Sequence, residues 1–382
     1  MEETSTMEFP SALFELRDLF NGAGFGLRPV GGCVRDTLMG VEPKDFDLCT
    51  DATPDEMIDL ARRSGHHLIP TGLQHGTATF VIDRVPYEVT TLRVDVACDG
   101  RHAEVAFTRD WRADAERRDL TINAMIVDFD GGLYDWFGGR DDIRDRTLRF
   151  VGDADTRIRE DYLRILRFLR FAGKFPDGQA SFDPQGMEAV ARNASGLATI
   201  SVERIWSEVS RILDGRRAAD LGQIMSDAGI CAVIGMPWAD RGRAAEVSVR
   251  GGSAFAVLAA QLASEDEAVE LATRWKMSAD ERRRLTFLTT NRDSARTETI
   301  ENALVDGVSR DWAIDLARLA GLTDEVAATF LPPAFPVQGK DLLALGMAPG
   351  PVMGTTLKAM RGRWVASRFT LTREALLAGH AR

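Results

Sequence analysis

The chain has 382 residues, of which 45% are apolar and 27% are charged, and its formal net charge is −11. The length predicts two or three domains, and the composition excludes a disordered or fibrous protein. No apolar run reaches the ~18 residues that a membrane-spanning helix needs, so we expect no membrane partner. An acidic chain binds nucleic acid only where its basic residues are segregated, and residues 157–174 and 357–382 are both rich in arginine.

The cysteines and the N-terminus bear on the cellular compartment. The four cysteines are widely spaced and form no C-x-x-C pair, which is typical of reduced thiols in a cytoplasmic protein. The stretch MEETSTMEF is acidic and lacks the basic region of a signal peptide. We therefore expect a cytoplasmic location, while the oligomeric state stays open.

Residues 1–150 mix helix and strand signals in chain order. Helices are predicted for FPSALFELRDLFNG, for GCVRDTLMG and for TPDEMIDLARRSG, the last with Thr53 as N-cap and Pro54 in its first turn. DFDLCT is a predicted strand, TATFVID and YEVTTLRV form a predicted hairpin around RVP, and MIVDFDGGLYDWFG gives two short strands. After Asp153 the periodicity is helical throughout. The pattern predicts an α+β protein with an all-helical remainder.

The D-x-D of DFDLCT is the first candidate site. Because alternate side chains of a strand share a face, Asp45 and Asp47 are predicted on one side and Phe46 on the core side. Two carboxylates on one face are suitable oxygen ligands for a hard divalent cation such as Mg²⁺. A bare D-x-D is more often a solvated edge, so the interpretation depends on its neighbours.

Those neighbours point to a phosphate ligand. Gly31 and Gly32 precede the helix CVRDTLM, and backbone N–H groups at such a turn form an anion site. Arg35 lies one turn further on, where its guanidinium can bind phosphate oxygens. A nucleoside triphosphate with Mg²⁺ requires this combination. Glu88 in YEVTTLR is the best candidate for the third carboxylate of a two-metal site; an exposed strand residue is the alternative.

Five segments follow one another in a specific order: GGCVRD, DFD, EVTTLR, DGRHAEVAFTRDWRADAERRDLTINAM and REDYLRILRFLRF. In this order they resemble the class II, bacterial-type tRNA nucleotidyltransferases, which comprise the CCA-adding enzymes and the bacterial poly(A) polymerases. The resemblance is dense over residues 28–175. It is looser through SVERIWSE and through the tail segment GKDLLALGMAPGPVMG.

The resemblance implies a head with the polymerase-beta-like nucleotidyltransferase fold and a mixed or antiparallel sheet, followed by an all-α neck, body and tail. We place these parts at residues 1–150, 151–215, 216–335 and 336–382. It also implies attack of an RNA 3′-hydroxyl on the α-phosphate of CTP or ATP with release of pyrophosphate, so that C, C and A are added to tRNA without a template. Mg²⁺ is the implied cofactor, and the basic tail is expected to contact the tRNA backbone.

The same resemblance assigns the site residues. Asp45 and Asp47 would hold Mg²⁺ and act in catalysis with Glu88. The segment DGRHAEVAF resembles the family's mobile loop near the active site. The implied nucleotide-binding residues are Gly31, Gly32, Arg35, Arg118, Asp119, Asn123, Asp161, Arg164, Arg167 and Arg170.

The choice of base has a physical interpretation. Asp161 and Arg164 are predicted on one face of a helix that Arg167 and Arg170 continue. Cytosine and adenine present an amino donor beside a ring-nitrogen acceptor, whereas guanine and uracil present a carbonyl beside an N–H. A carboxylate beside a guanidinium complements the first pattern and leaves the second with unpaired polar groups, which a buried site rejects. A surface ion pair is the alternative.

Other functions stay open at this level. A poly(A) polymerase, or an enzyme that adds only CC or only A, has the same motifs. An inactive RNA-binding relative is disfavoured by the intact Asp45, Asp47 and Arg35. A nucleotidyltransferase that acts on a small molecule is disfavoured by the long helical remainder and its basic tail.

Overall fold

The computed structural model describes residues 7–98, 103–176, 178 and 180–378. The head mixes helices and strands, as predicted. Its helices are α1 (Ser11–Gly22), α2 (Gly32–Leu38), α3 (Pro54–Ser64), α4 (Trp111–Glu116) and α5 (Gly139–Arg144). Its strands are β1 (Leu27–Pro29), β2 (Leu48–Thr50), β3 (His67–Gly72), β4 (Thr77–Ile82), β5 (Val85–Thr91), β6 (Arg93–Cys98), β7 (Ala103–Phe107), β8 (Ile126–Val127), β9 (Leu133–Tyr134) and β10 (Thr147–Leu148).

The main sheet has five strands in the order β1-β2-β5-β4-β3. β2 runs parallel to β5, and the other neighbours are antiparallel. The predicted hairpin is confirmed as β4 and β5, which turn through Asp83 and Arg84, both with positive φ. Two-residue hairpin turns favour that backbone because it matches the strand twist. The mixed sheet and the helical remainder confirm the α+β prediction.

Helices α1 and α3 cover one face of this sheet. Leu16 and Phe20 of α1 and Met57 of α3 pack with Phe80 of β4 in one apolar cluster. The predicted cap of α3 is confirmed, because the Thr53 side chain accepts from a backbone N–H of the first turn in a capping box. On the opposite face, Cys49 of β2 packs in a second, smaller apolar cluster with Val30, Leu92 and Ile126.

The D-x-D segment differs from the prediction. β2 covers only Leu48–Thr50, and Asp45 and Asp47 lie in the irregular stretch before it. The partner strand β1 ends at Pro29, and the next residue, Val30, donates its backbone N–H to the backbone oxygen of Asp47 at 3.0 Å before the chain turns into α2. The alternation of faces still holds: Phe46 packs on the core, and both aspartates are exposed.

The neck contains α6 (Ala154–Glu160), α7 (Arg164–Ala172), β11 (Ser181–Phe182), α8 (Pro184–Asn193) and α9 (Val202–Leu213). β11 pairs in parallel with β10 of the head. The prediction of one helix through EDYLRILRFLR is wrong, because Asp161 has extended backbone between α6 and α7. Its carboxylate accepts from Leu163 N at 3.0 Å, which is the kind of local bond by which Asp ends one helix and starts the next.

The rest of the described chain is helical. The body contains α10 (Ala218–Asp227), α11 (Ile230–Ile234), α12 (Arg241–Val249), α13 (Ala254–Gln261), α14 (Glu265–Arg274), α15 (Ala279–Asn291), α16 (Thr297–Val305), α17 (Arg310–Leu319) and α18 (Glu325–Thr329). The tail contains α19 (Gly339–Ala344), α20 (Pro351–Ala366) and α21 (Arg373–Leu377). One apolar core is continuous from Leu120 to Ala327, and the tail has its own around Trp364. The exact domain limits stay a prediction.

The tail is less basic on its surface than its sequence indicates. Arg361 pairs with Asp306, Arg373 pairs with Asp341, and Arg368 pairs with two glutamates of α16. These pairs partly neutralise the charge that was expected to face tRNA. Within the described part of the chain, no helix combines the length and the apolar character that crossing a bilayer requires.

Candidate active site

A cleft of about 650 Å³ lies between the open face of the head sheet and helix α7 of the neck. Its charged lining is dominated by guanidinium groups, in contrast to the net charge of −11 of the whole chain. Such a concentration of one sign attracts a polyanion. The charged residues are Arg35, Arg93, Arg117, Arg118, Arg164, Arg167, Arg204, Asp47, Asp119 and Asp161.

The glycine pair forms one wall of the cleft at the start of α2. Gly31 has φ of +72°, and a Cβ built there would lie 3.1 Å from Nη1 of Arg118. The backbone conformation therefore favours glycine at this position, and a Cβ would in addition push against the Arg118 guanidinium. Gly32 opens α2, and no side chain caps that end of the helix. A substrate phosphate could thus approach the backbone beside Arg118 closely.

A hydrogen-bonded chain connects the head to the neck across the cleft. Arg35 donates through Nη1 to Oδ1 of Asn123 at 2.6 Å, and Asn123 donates to Asp119 at 3.1 Å. Arg167 of α7 donates through Nε to the other oxygen of Asp119 at 2.6 Å. Burial alone would raise the pKa of Asp119, but Arg167 and the hydrogen bonds hold that pKa below its ordinary value. Four predicted residues are therefore brought together, and each is held in one orientation.

Asp114 is a site residue that the sequence analysis missed. Its side chain is fully buried and accepts from Arg117 at 2.8 Å and from Arg118 at 3.0 Å. It also accepts from the backbone N–H of Arg93 at 3.1 Å. The signal was present, because Asp114 precedes Arg117 and Arg118 by three and four residues, the spacing at which side chains meet on a helix. All three arginines line the cleft.

The three predicted catalytic carboxylates lie at the rim of the sheet. Asp47 lines the cleft, whereas Asp45 and Glu88 do not. Leu48 pairs with Val89, so Glu88 and Asp47 each stand one residue before that pair on adjacent parallel strands. Both side chains are exposed. This register brings Glu88 beside Asp47, but Glu88 does not line the cleft, so the structure shows no direct contact between Glu88 and the candidate nucleotide site.

The electrostatics of Asp47 suit a cation. Although the residue is exposed, loss of surrounding water in the cleft raises the pKa of Asp47 most, and Asp45 raises it further, against the opposing effects of Arg118 and Arg35. The described residues contain no ready-made cage of three or more His, Cys, Asp or Glu side chains. Mg²⁺ does not need one, since it keeps several waters and commonly binds one or two carboxylates plus substrate phosphates. Asp45 and Asp47 therefore fit Mg²⁺.

Asp161 and Arg164 both line the cleft, but they do not pair with each other. Arg164 donates to Glu160 at 2.6 Å and to the backbone oxygen of Arg117 at 3.1 Å. Asp161 accepts from Arg204 at 2.7 Å. The helix break at Asp161 separates the two side chains, which the prediction of a continuous helix missed, and Arg204 was not singled out because it comes from α9.

Arg170 lies outside the cleft lining. It donates through Nε to Glu208 of α9 at 2.5 Å. Within α7, which begins at Arg164, the side chains of Arg167 and Phe171 line the cleft, whereas that of Arg170 contacts α9. The prediction that Arg170 continues the helix face of Arg164 and Arg167 is therefore wrong, because only the latter two line the cleft.

The predicted mobile loop falls only partly within the structure. Residues 99–102 of DGRHAEVAF lie outside the described residues. The flanking strands β6 and β7 pair as an antiparallel ribbon next to the main sheet. The ribbon carries Arg93 at the edge of the cleft.

Comparisons with known proteins agree with this geometry. Residues 27–149 match the family described as Poly A polymerase head domain, and residues 181–235 match the one described as Probable RNA and SrmB- binding site of polymerase A. The mitochondrial CCA tRNA nucleotidyltransferase 1 of Mus musculus is 38% identical over 97% of this chain and 90% of its own length. A CCA-adding enzyme of Geobacillus thermodenitrificans is 38% identical over 59% of this chain and 54% of its own.

A solved structure extends the likeness to the whole fold. The crystal structure of the Bacillus stearothermophilus CCA-adding enzyme in complex with CTP has a TM-score of 0.78 and 27% identity. It covers 95% of this chain and 94% of its own. The likeness therefore includes the helical parts as well as the head.

Proposed function

Because the chain belongs to the family of CCA tRNA nucleotidyltransferases, we propose that it adds C, C and A to the 3′ end of tRNA from CTP and ATP without a nucleic-acid template. The observation that carries the proposal is the arginine-lined cleft with Asp47 on its floor. A triphosphate needs that positive lining, and a carboxylate pair beside it is needed to hold a divalent cation. Enzymes of this kind generally use a divalent metal, and we assign Mg²⁺.

The residues take the following roles in the reaction. Asp45 and Asp47 hold Mg²⁺, which when bound stabilises negative charge at the α-phosphate attacked by the RNA 3′-hydroxyl. Arg118 and Arg35 bind the phosphate oxygens next to Gly31. The leaving group is pyrophosphate, and the arginine lining neutralises the charge that it gains.

We assign recognition of the base of the incoming CTP or ATP to residues of the neck. Of the five N–H groups of Arg164, three are used by Glu160 and by two backbone oxygens, so two donors are left for a ring nitrogen. Asp161 uses one acceptor site on each oxygen, for Leu163 N and for Arg204. Its remaining lone pairs can accept from the amino group that C and A present beside a ring-nitrogen acceptor, at the position where G and U present a carbonyl. To Asp119 and Asn123, which are hydrogen-bonded between Arg35 and Arg167, we assign the contact with the sugar.

End addition to truncated tRNA tests the proposal. Purified protein is incubated with tRNA that lacks its 3′ CCA, with CTP, ATP and Mg²⁺, and products are resolved to single nucleotides. Three ordered additions are expected, and none with intact tRNA or after chelation of the metal. A long A tail would instead identify a poly(A) polymerase, and absence of pyrophosphate release would exclude an active enzyme.

We also propose a cytoplasmic location. Cys33, Cys49 and Cys231 are free thiols, each buried. Burial raises the pKa of Cys49 to about 12 and that of Cys33 to about 11, so neither is a reactive thiolate at neutral pH. Fractionation of the source cells, with an antibody against the protein, tests the compartment.

A further inference from the structure

A second basic cavity, which we call the neck pocket, lies outside the cleft. It has a volume of about 220 Å³ and is bounded by the end of α7, the end of α9 and the start of α10. Its charged lining is four cations and one acid, so it favours an anion. These residues are Arg170, Lys174, Arg211, Arg217 and Asp214.

Two of these cations, Lys174 and Arg211, are not held in close ion pairs within the part of the chain that the structure describes. Lys174 makes no ion pair with any residue that the structure describes, and its backbone N–H already caps α7 on the oxygen of Phe171. Arg211 approaches Glu208 at 3.9 Å, but Glu208 is already bound by Arg170 at 2.5 Å. Both side chains are exposed. They are therefore free to bind a ligand from solvent.

The positive charge is continuous between the neck pocket and the cleft. The ring of Phe171 lies 5.0 Å from the Arg35 guanidinium and 5.5 Å from that of Arg167, both in the cleft. The Arg170 guanidinium, in the neck pocket, lies 4.4 Å from the same ring. Burial and then the charges of Arg35 and Arg170 are among the causes that lower the pKa of Lys174. One band of cations thus runs along α7.

We propose that the neck pocket binds a backbone phosphate of the RNA substrate, upstream of the 3′ end that enters the cleft. The assignment deepens the proposed function and rests on it. Arg211 and Arg217 lie within residues 181–235, the segment that matches an RNA-binding family. Guanidinium and ammonium groups bind phosphate without reading bases, which suits an enzyme whose substrates share an end but differ in sequence.

Removing two cations tests the pocket. Lys174→Gln with Arg211→Gln is compared with Arg62→Gln with Arg63→Gln, which removes the same charge from the exposed end of α3 in the head. Binding of tRNA lacking CCA is measured by filter retention from 50 to 300 mM salt, together with the KM for CTP. We expect about tenfold weaker tRNA binding and a salt slope smaller by roughly 0.7 to 0.9, from the loss of one phosphate contact. The KM for CTP and the control variant stay within twofold of wild type.

The possible outcomes distinguish a failure of the neck-pocket proposal from a failure of the proposed CCA addition. Wild-type tRNA affinity and salt slope in the Lys174/Arg211 variant, while the wild type still adds CCA, would overturn the neck pocket and leave the function standing. Weaker inhibition by pyrophosphate with unchanged tRNA affinity would assign the pocket to the free product and overturn the RNA assignment. Thermal unfolding is used to check that each variant is folded. If the double variant does not fold, the single variants Lys174→Gln and Arg211→Gln provide the same comparison.

Discussion

Replacing Asp114 by Asn tests the electrostatic support beneath the cleft. The change keeps the side-chain shape and removes the charge that faces Arg117 and Arg118. Losing one partner of a buried ion pair costs about 3–5 kcal/mol. Because Arg117 and Arg118 keep 16% and 19% of their side-chain exposure, water recovers part of this, and we expect about 2–3 kcal/mol. The head transition should then melt about 4–12 °C lower.

The pH dependence of this loss has a definite sign. Burial would raise the pKa of Asp114, but Arg118 and Arg117 outweigh it and hold that pKa below its ordinary value. A depressed folded-state pKa stabilises the fold above the unfolded value near 4 and loses that contribution as pH falls through the folded value. The difference in Tm between wild type and Asp114→Asn should therefore be constant from pH 8 to 5 and shrink below pH 4.

A double-mutant cycle measured by calorimetry separates positioning from stability. If Asp114 acts on CTP through Arg118, Asp114→Asn weakens CTP binding by about tenfold in the wild type and has little effect in an Arg118→Ala background. Asp315→Asn is the matched control, because Asp315 is a buried carboxylate paired with Arg284 in the body. It should lower Tm without changing CTP binding. Additive effects of the two substitutions on CTP affinity would refute the reasoning.

Three further predictions address other parts of the site. Asp47→Ala should reduce nucleotide addition by ~10²–10³-fold or more with little change in Tm; substantial turnover in Mg²⁺ would contradict its assignment. Gly31→Ala should weaken CTP binding in a titration far more than Gly24→Ala, because both have positive φ but only Gly31 faces a neighbour within 4 Å; equal effects would mean that backbone strain alone is responsible. Asp161→Ala and Arg164→Ala should raise incorporation from UTP and GTP relative to CTP and ATP in the end-addition assay, and unchanged selectivity would remove them from base recognition.

Local sequence signals predicted the elements well. Thr53, Pro54 and the acid at the third helical position define the start of α3 by themselves. The hairpin of β4 and β5 follows from two β-rich runs and a short polar turn. In both cases the determining interactions lie within a few residues of one another, so the sequence pattern contains them.

The errors had two causes, a local bond that competes with the helix and contacts between distant parts of the chain. The helix through Asp161 was predicted from periodicity, but the backbone N–H of Leu163 donates to the Asp161 carboxylate and this bond competes with the helix. Arg170 was predicted to continue the helix face of Arg164 and Arg167, yet it donates to Glu208 on another helix. Arg204 reaches Asp161 from 43 residues further along the chain, and no local spacing contains that information.

The position of Arg117 between Arg164 and Asp114 has a consequence for how accurately the nucleotide is chosen. The carbonyl of Arg117 accepts from Arg164, to which we assign base recognition, while the side chain of Arg117 pairs with the carboxylate of Asp114. The same carboxylate also pairs with Arg118, to which we assign phosphate binding. A wrong base that displaces Arg164 therefore disturbs the group that orients the triphosphate. Errors should consequently be rejected as slow turnover, in addition to weak binding, so that an incorrect nucleotide at saturating concentration is still a poor substrate.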